Sequence, residues 1–487
     1  MESQPAEFVP PYPDRMPATP FWLKRAFLAR RNLLTMFEEQ AFEYPLAQLK
    51  VLMHDVFLCN SPESVQFAFS THNESFERKG PAYRHSLQPL LGDGLFVSDG
   101  HTWRTRRRIV APLVHGPRLP QFAPIMIQAA QEAAERWARL APAEFDMLSE
   151  MAQLTAEIIC RSLFGSRLGR ERALEVVKGF TDYQSRIGNI DIMSWLGVPD
   201  WVPRPHLPGL YRSVRRVHAV LDDIIAHHED ARDGSTGSVV GSLRAARDEE
   251  TGLPLSAEAV RNEAAVLFMA GHETTATTLA WTWYILSQVP EVEARVHAEI
   301  DQVLQGRPPS LADLPKLIYT RSVVEEVLRL YPPVPILFRE ALRDEAFGDR
   351  YIPKGSFIFV CPWLLHRHRQ WWKKPDHFIP ERFLPGSSEP ISKFAYIPFS
   401  IGPRVCAGMT FGLTEAILCI ATLGQTFRIR LKDGHRVEVV CRLTLRPGDR
   451  LPMLAIPRTQ GAIVRRDRRE LAAAPAASRG CPVAHHN

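Results

Sequence analysis

Apolar residues recur at helical spacing over much of the chain, and alternate only in short runs near its two ends. Residues 45–59, "PLAQLKVLMHDVFLC", alternate as two short strands, with a helix expected from Pro62. From Thr102 to about His228 the pattern is mostly helical, broken at "HGPRLP", "SRLGRE" and "VPDWVPRPHLPG". Ser256 is a good N-cap with Glu258 in the first turn, so a helix should run from there to about Gln288. Pro290 then opens another helix, and a third, roughly residues 319–330, stops at Pro332-Pro333. "RYIPKGSFIFVCPW" alternates like a strand, and one more helix should follow Cys406. Residues 436–457 read as a hairpin with its turn at Pro447-Gly448. The pattern predicts a mainly helical protein with a small β portion in one large domain.

Residues 264–286 are apolar enough to suggest a membrane span. His272, Glu273 and nearby threonines would be costly in lipid, which favours a buried central helix. "WLKRAFLARRNLLTMF" is basic and amphipathic; a helix half-buried on its own protein is favoured over peripheral membrane contact. Hydrophobic content of 45% and charged content of 23% are ordinary for a globular chain of 487 residues. A net charge of +5 over this length is too weak to argue for nucleic acid. Seven cysteines without a CxxC pair fit a reduced, cytoplasmic chain, and the proline-rich start carries no signal-peptide pattern. Residues 1–20 read as a proline-rich segment, 21–458 as the folded domain and 459–487 as a flexible tail, whose "CPVAHH" is too sparse for a metal site.

Four constellations carry candidate chemistry. "FSIGPRVCAG" (399–408) puts Cys406 at the start of a helix, where the dipole and free N–H groups would lower the thiol pKa. Gly402 and Gly408 allow close approach, Phe399 offers an aromatic wall, and Arg404 a cation for a carboxylate. A structural thiol or a nucleophile stays open on this stretch alone. "AGHETT" (270–275) sets small Ala270 and Gly271 beside a carboxylate and a hydroxyl, Glu273 and Thr274, which suits a proton relay. Glu326 and Arg329 share a helix face, with Arg382 in "FIPERF" as a further partner. In "HTWRTRRR", Trp103 and Arg107 share a face, while Arg104, Arg106 and Arg108 read as a solvated basic face or partner-docking charges.

Together these stretches resemble the cytochrome P-450 superfamily, in its order, over residues 20–458. Phe399, Gly402, Arg404, Cys406 and Gly408 match its haem-ligating signature; "AGHETT", Glu326-x-x-Arg329 with "PERF", and "WRTRR" resemble its other elements. The resemblance implies the family's triangular-prism domain, mainly α with small sheets, holding haem b. Cys406 would be the axial ligand of the haem iron, and Glu273 and Thr274 would deliver protons to bound O2. Trp103, Arg107, Arg404 and Arg339 would bind the propionates, and Glu326, Arg329 and Arg382 would form a structural triad. Val266, Met269, Ala270, Val334 and Leu337, the loop 82–95 and the region near Leu445 would line an apolar pocket. The expected function is a haem-thiolate monooxygenase of the soluble bacterial type, acting as a monomer on a lipophilic substrate. Electrons would come from a separate ferredoxin- or flavodoxin-type donor with its reductase, docked through Arg104, Arg106, Arg108, Lys373, Lys374 and Lys393. The alternatives are a peroxide-driven or isomerising relative and a haem sensor.

Overall fold

The computed structural model describes residues 8–15, 32–165, 170–184, 192–196, 209–226, 238–388, 390–441 and 443–458, with residues 186, 198 and 202 between them. The stretches "SRLGRE" and "VPDWVPRPHLPG" fall largely outside these residues, as do 22–31 and the expected tail.

The helix Ala257–Gln288 is the axis of the molecule, about 48 Å long at 1.5 Å per residue. It begins where the sequence places it, with Ser256 accepting the Ala259 N–H at 3.1 Å. Its side chains are buried on almost every face, as expected of an uninterrupted apolar helix. Gly271 lets the helix Met147–Phe164 come close, because a Cβ there would lie 2.8 Å from Ile159. No helix among the described residues is long and apolar enough to cross a membrane. The helices Leu119–Leu140, Pro290–Leu304, Ile318–Leu330 and Met409–Thr426 complete the main core around this axis.

The β portion is peripheral. Strands Leu46–Val51 and His54–Cys59 form a hairpin, His54–Cys59 pairs in parallel with Phe357–Val360, and Leu337–Glu340 closes that sheet. The closing hairpin differs from expectation. Val440–Cys441 pairs with Leu445–Arg446, turning well before Pro447-Gly448, while Pro452–Pro457 joins Phe427–Leu431 and Ala143–Asp146. The two apolar runs bury against different neighbours: Cys441 and Leu445 in one place, Met453 and Ala455 in another. Alternation alone cannot distinguish that from a hairpin.

A buried ionic clasp holds the irregular segment after Phe357–Val360. Arg329 donates to both oxygens of Glu326 at 2.7 Å, and to the carbonyls of His366, Pro375 and His377 at 2.7–2.8 Å. Glu326 also accepts the Ile379 N–H at 2.8 Å and lies 3.6 Å from Arg382 Nε. Arg382 donates to the Lys373 and Lys374 carbonyls. Residues 8–15 strap onto the same region: the Phe378 N–H reaches the Phe8 carbonyl at 3.0 Å, and Tyr331 donates to the Pro11 carbonyl at 2.7 Å. Removing one charge leaves the others buried and unpaired. Glu326→Ala should therefore lose about 3–5 kcal/mol of unfolding free energy in urea titration, and a loss under about 1 kcal/mol would contradict the clasp.

Candidate functional site

The loop before Met409–Thr426 is closed by the Cys406 N–H, which donates to the Phe399 carbonyl at 2.8 Å. Gly402 sits at φ +73° against the helical turn Phe67–Thr71, where a Cβ would come within 1.9 Å of the Phe69 carbonyl oxygen. No other residue fits there. Gly408 is the N-cap, so the helix starts three residues after Cys406.

The expected lowering of the thiol pKa by the helix is corrected. Burial pushes the Cys406 thiol up, and the Gly408 N–H, Arg107 and Lys79 offset only part of this. Yet Cys406 exposes surface. Ala270 is likewise exposed in the middle of a buried helix, and Thr274 half-exposed one turn on. The two helices meet further along, where Thr275 Oγ1 is 3.7 Å from the point a Gly412 Cβ would take. Ala270 and Cys406 precede that contact on their elements, and their exposure amid buried neighbours points to a cleft between the two elements.

Cations crowd one side of this cleft. Arg404 is buried, stacks over the Trp103 ring at 4.3 Å, and donates to the Ser98 carbonyl at 3.0 Å. Arg339 is buried over the Phe69 ring at 4.9 Å and, among the described residues, has only its neighbour's carbonyl as a hydrogen-bond acceptor. Lys79 lies over Phe96 at 3.3 Å. Arg107 is half-buried near Cys406. Burial, reinforced by the charge of Arg404, lowers Arg339 to about 9; burial brings Arg404 down to about 10, and burial with the charges of Arg339 and Arg404 puts Lys79 well below the usual lysine range. Among the described residues, the one carboxylate paired with this group is Asp99, 3.5 Å from Arg404, and it is shared with Arg78 and Arg84 at 3.9 and 3.7 Å. Among the described residues, Lys79, Arg107 and Arg339 form no ion pair. The site carries a surplus of buried positive charge.

On the central helix, Glu273 is buried and its Oε1 accepts from Thr444 and from Arg446, whose Nε is 2.8 Å away. Burial raises its pKa, but Arg446 and the Thr444 hydroxyl outweigh this and hold it below the ordinary carboxylate value. Thr274 donates back to the Ala270 carbonyl at 2.5 Å. Thr277 and Thr278 both donate to the Thr274 carbonyl, and Thr155 donates to that of His272. The helix stays continuous while its carbonyls here carry extra hydroxyl partners.

Of the expected pocket residues, Met269, Val334 and Leu337 are half-buried and Val266 is buried beneath Gly94. Leu445 is in the core, its carbonyl accepting from Trp281, and it is Arg446 that reaches the central helix. Arg106 corrects the expected solvated face: it is buried with Trp103 and Val110 on one helical stripe. Its partners are Asp93 at 3.1 Å and Glu263 at 3.5 Å. Arg104 and Arg108 are exposed and pair with Glu77 and Glu250.

Residues 10–448 match the family model for Cytochrome P450. The chain belongs to the cytochrome P450 family. It is 32% identical to cyclooctatin synthase of Streptomyces melanosporofaciens over 89% of this chain and 92% of that protein. It is also 32% identical to cyclooctat-9-en-7-ol 5-monooxygenase of the same organism, over 78% of this chain and 82% of the relative. Among solved structures, the cytochrome P450DA heme domain superposes with a TM-score of 0.75 at 27% identity, covering 85% of this chain and 90% of that one. The retinoic acid-bound cyanobacterial CYP120A1 gives 0.74 at 27% identity, over 85% and 92%. The chain is thus a P450 monooxygenase with the P450 fold, and P450s bind haem b.

This P450's residues fit such a group. A porphyrin with two propionates would supply the negative charge that Lys79, Arg107 and Arg339 lack and that Arg404 shares only through Asp99, and Cys406 exposes surface near Lys79 and Arg107. Sequence reasoning missed Lys79 and Arg446. Neither belongs to a periodic pattern, and their relevance comes from loops brought to the site in three dimensions.

Arg446→Met should reverse the Glu273 titration. In the unaltered protein its lowered pKa contributes stability above the ordinary value of 4.5, lost only as pH falls below it. Without Arg446, burial, the largest influence on the group, outweighs the remaining Thr444 bond and raises the pKa, so stability should fall as pH rises above the ordinary carboxylate value through neutrality. Urea unfolding across that range checks the sign, and a variant whose pH dependence matches the unaltered protein would contradict the assignment.

Proposed function

We propose that this P450 inserts one oxygen atom of O2 into a lipophilic substrate held at the Ala270 face of the cleft, using electrons from a separate donor. The observation that carries the reading is the set of buried cations, with Asp99 as their shared counter-charge among the described residues, around an accessible cysteine. Cys406 would hold the haem iron through its thiolate, with Phe399 and Gly402 fixing its loop and Gly408 giving the sulfur a backbone N–H. Arg404 and Trp103 form one propionate support; Arg339, Arg107 and Lys79 supply the remaining charge. A thiolate-bound haem iron supplies reductive activation of O2 and oxygen transfer to C–H or C=C bonds.

The protein's own part is to hold, exclude and move protons. Thr274 presents its hydroxyl to the cleft, and its bond to the Ala270 carbonyl orients the oxygen. Glu273, ionised by Arg446, is the proton acceptor next to it on the helix. Glu326, Arg329 and Arg382 act on folding and not on the reaction. Val266, Met269, Val334 and Leu337 leave few polar groups to orient a substrate, which suits an apolar one. The relatives' names, a cyclic alkenol and retinoic acid, support that class. Lys373, Lys374 and Lys393 are exposed and suit an acidic ferredoxin or flavodoxin-type donor; buried Arg106 does not.

Cys406→Ala should abolish the red-shifted Soret band of the reduced carbonyl complex, and survival of that band would refute the ligand. Thr274→Ala should keep the band and haem content but divert at least about tenfold more reducing equivalents to peroxide. Fully coupled turnover in that variant would remove Thr274 from the relay. Screening lipophilic compounds for a low-to-high spin shift of the haem identifies the substrate class.

A further inference from the structure

Residues 92–99 link the helix Pro81–Leu91 to the helix Gly100–Val114. At one end they carry Ser98 and Asp99, the partners of Arg404. At the other they lie flat on the central helix. Gly92, at φ +53°, would put a Cβ 2.1 Å from Asn262 Nδ2, and Gly94 would put one 2.7 Å from Val266. Asn262, Val266 and Ala270 are spaced four apart, so the loop rests on the face that opens one turn later at the cleft.

Four polar groups hold this contact. Glu263 is fully buried, and its two oxygens accept the Leu95 N–H at 3.0 and 3.2 Å. Arg106 Nε lies 3.5 Å from Glu263, and Arg106 Nη2 donates to Asp93 at 3.1 Å. Asn262 donates to the other oxygen of Asp93 at 3.1 Å. Burying an ion-paired carboxylate is a poor route to stability compared with apolar packing. It does give a loop backbone one defined seat.

We propose that Glu263 is a positioning residue that latches residues 92–99 onto the central helix, and so controls how readily a substrate passes the loop to the Ala270 face. This rests on the reading of that face as the substrate site. The charged groups facing Glu263 are Arg106, from the helix Gly100–Val114, and Asp93, from the loop itself. Burial outweighs the Leu95 N–H and Arg106, and puts the Glu263 carboxyl at about 7, above its ordinary 4.5. Opening the loop hydrates the group and returns it toward the ordinary value, which releases a proton. Higher pH therefore favours the open loop, with the change falling between about pH 5 and 8.

Hydrogen exchange of residues 93–97 in the haem-loaded, substrate-free enzyme tests this, after correction for intrinsic exchange. Protection in the unaltered protein should fall as pH rises across that range. Glu263→Ala removes the acceptor of the Leu95 N–H and should raise exchange at least about tenfold. Glu263→Gln keeps an acceptor, so it should stay protected and lose the pH dependence. Association of 1-dodecylimidazole at about pH 8.5, where the azole is neutral, should quicken in Glu263→Ala. Unchanged exchange in Glu263→Ala overturns the proposal. So does a Glu263→Gln variant that exchanges as fast as Glu263→Ala, or a loosened loop with unchanged azole association. If Glu263→Ala yields no haem-loaded protein, Asp93→Asn on the more exposed arm replaces it, and unchanged exchange there is equally fatal. Exchange is read without turnover, so its failure is distinguishable from failure of the monooxygenase reading, which shows in the haem spectrum.

Discussion

Buried positive charge in excess of its counter-charge is the constraint around which this site is built. Arg339 and Arg404 have lost most contact with water, and Lys79 shares their surroundings. Among the described residues Asp99 alone pairs with Arg404, and Arg78 and Arg84 draw on the same carboxylate. A protein interior does not hold such a group cheaply unless something anionic completes it. The aromatic faces of Trp103, Phe69 and Phe96 soften the cost but do not remove it. The cations therefore suit a dianionic ligand, and the haem that P450s bind, with its two propionates, is a group of that charge.

Everything else serves to hold these walls apart and aligned. The central helix supplies one wall and is pressed against Met147–Phe164 through Gly271. The Cys406 loop supplies another, seated on Phe67–Thr71 through Gly402. The Glu326–Arg329–Arg382 clasp, with residues 8–15 strapped beside it, fixes the irregular segment before that loop. Arg446 then ties the closing hairpin to Glu273, so the acid on the central helix is kept ionised by an element from near the end of the chain.

Much of this was legible from local pattern. Ser256 as N-cap, Pro290 as a helix start and the closely approached glycines each answer to a rule acting over a few residues. What escaped is what depends on non-local packing. Arg106 looked solvated because arginine usually is, yet its spacing from Trp103 and Val110 already put it on the buried stripe. The Cys406 thiol looked acidified by its helix, but the helix begins only at Met409 and burial wins. In the proposed role of Cys406 as iron ligand, the metal rather than the helix dipole would ionise that sulfur. The closing hairpin misled because two apolar runs of equal period belong to different sheets.

The charge account is tested most directly by comparing how the haem-free protein binds iron protoporphyrin IX and its dimethyl ester, followed in the Soret band. The two share ring and iron and differ in the two carboxylates. Tight binding of the free acid with a loss of about 100-fold or more for the ester is the expected result. Equal affinity for the two would contradict the assignment of Lys79, Arg107, Arg339 and Arg404 to an anionic cofactor.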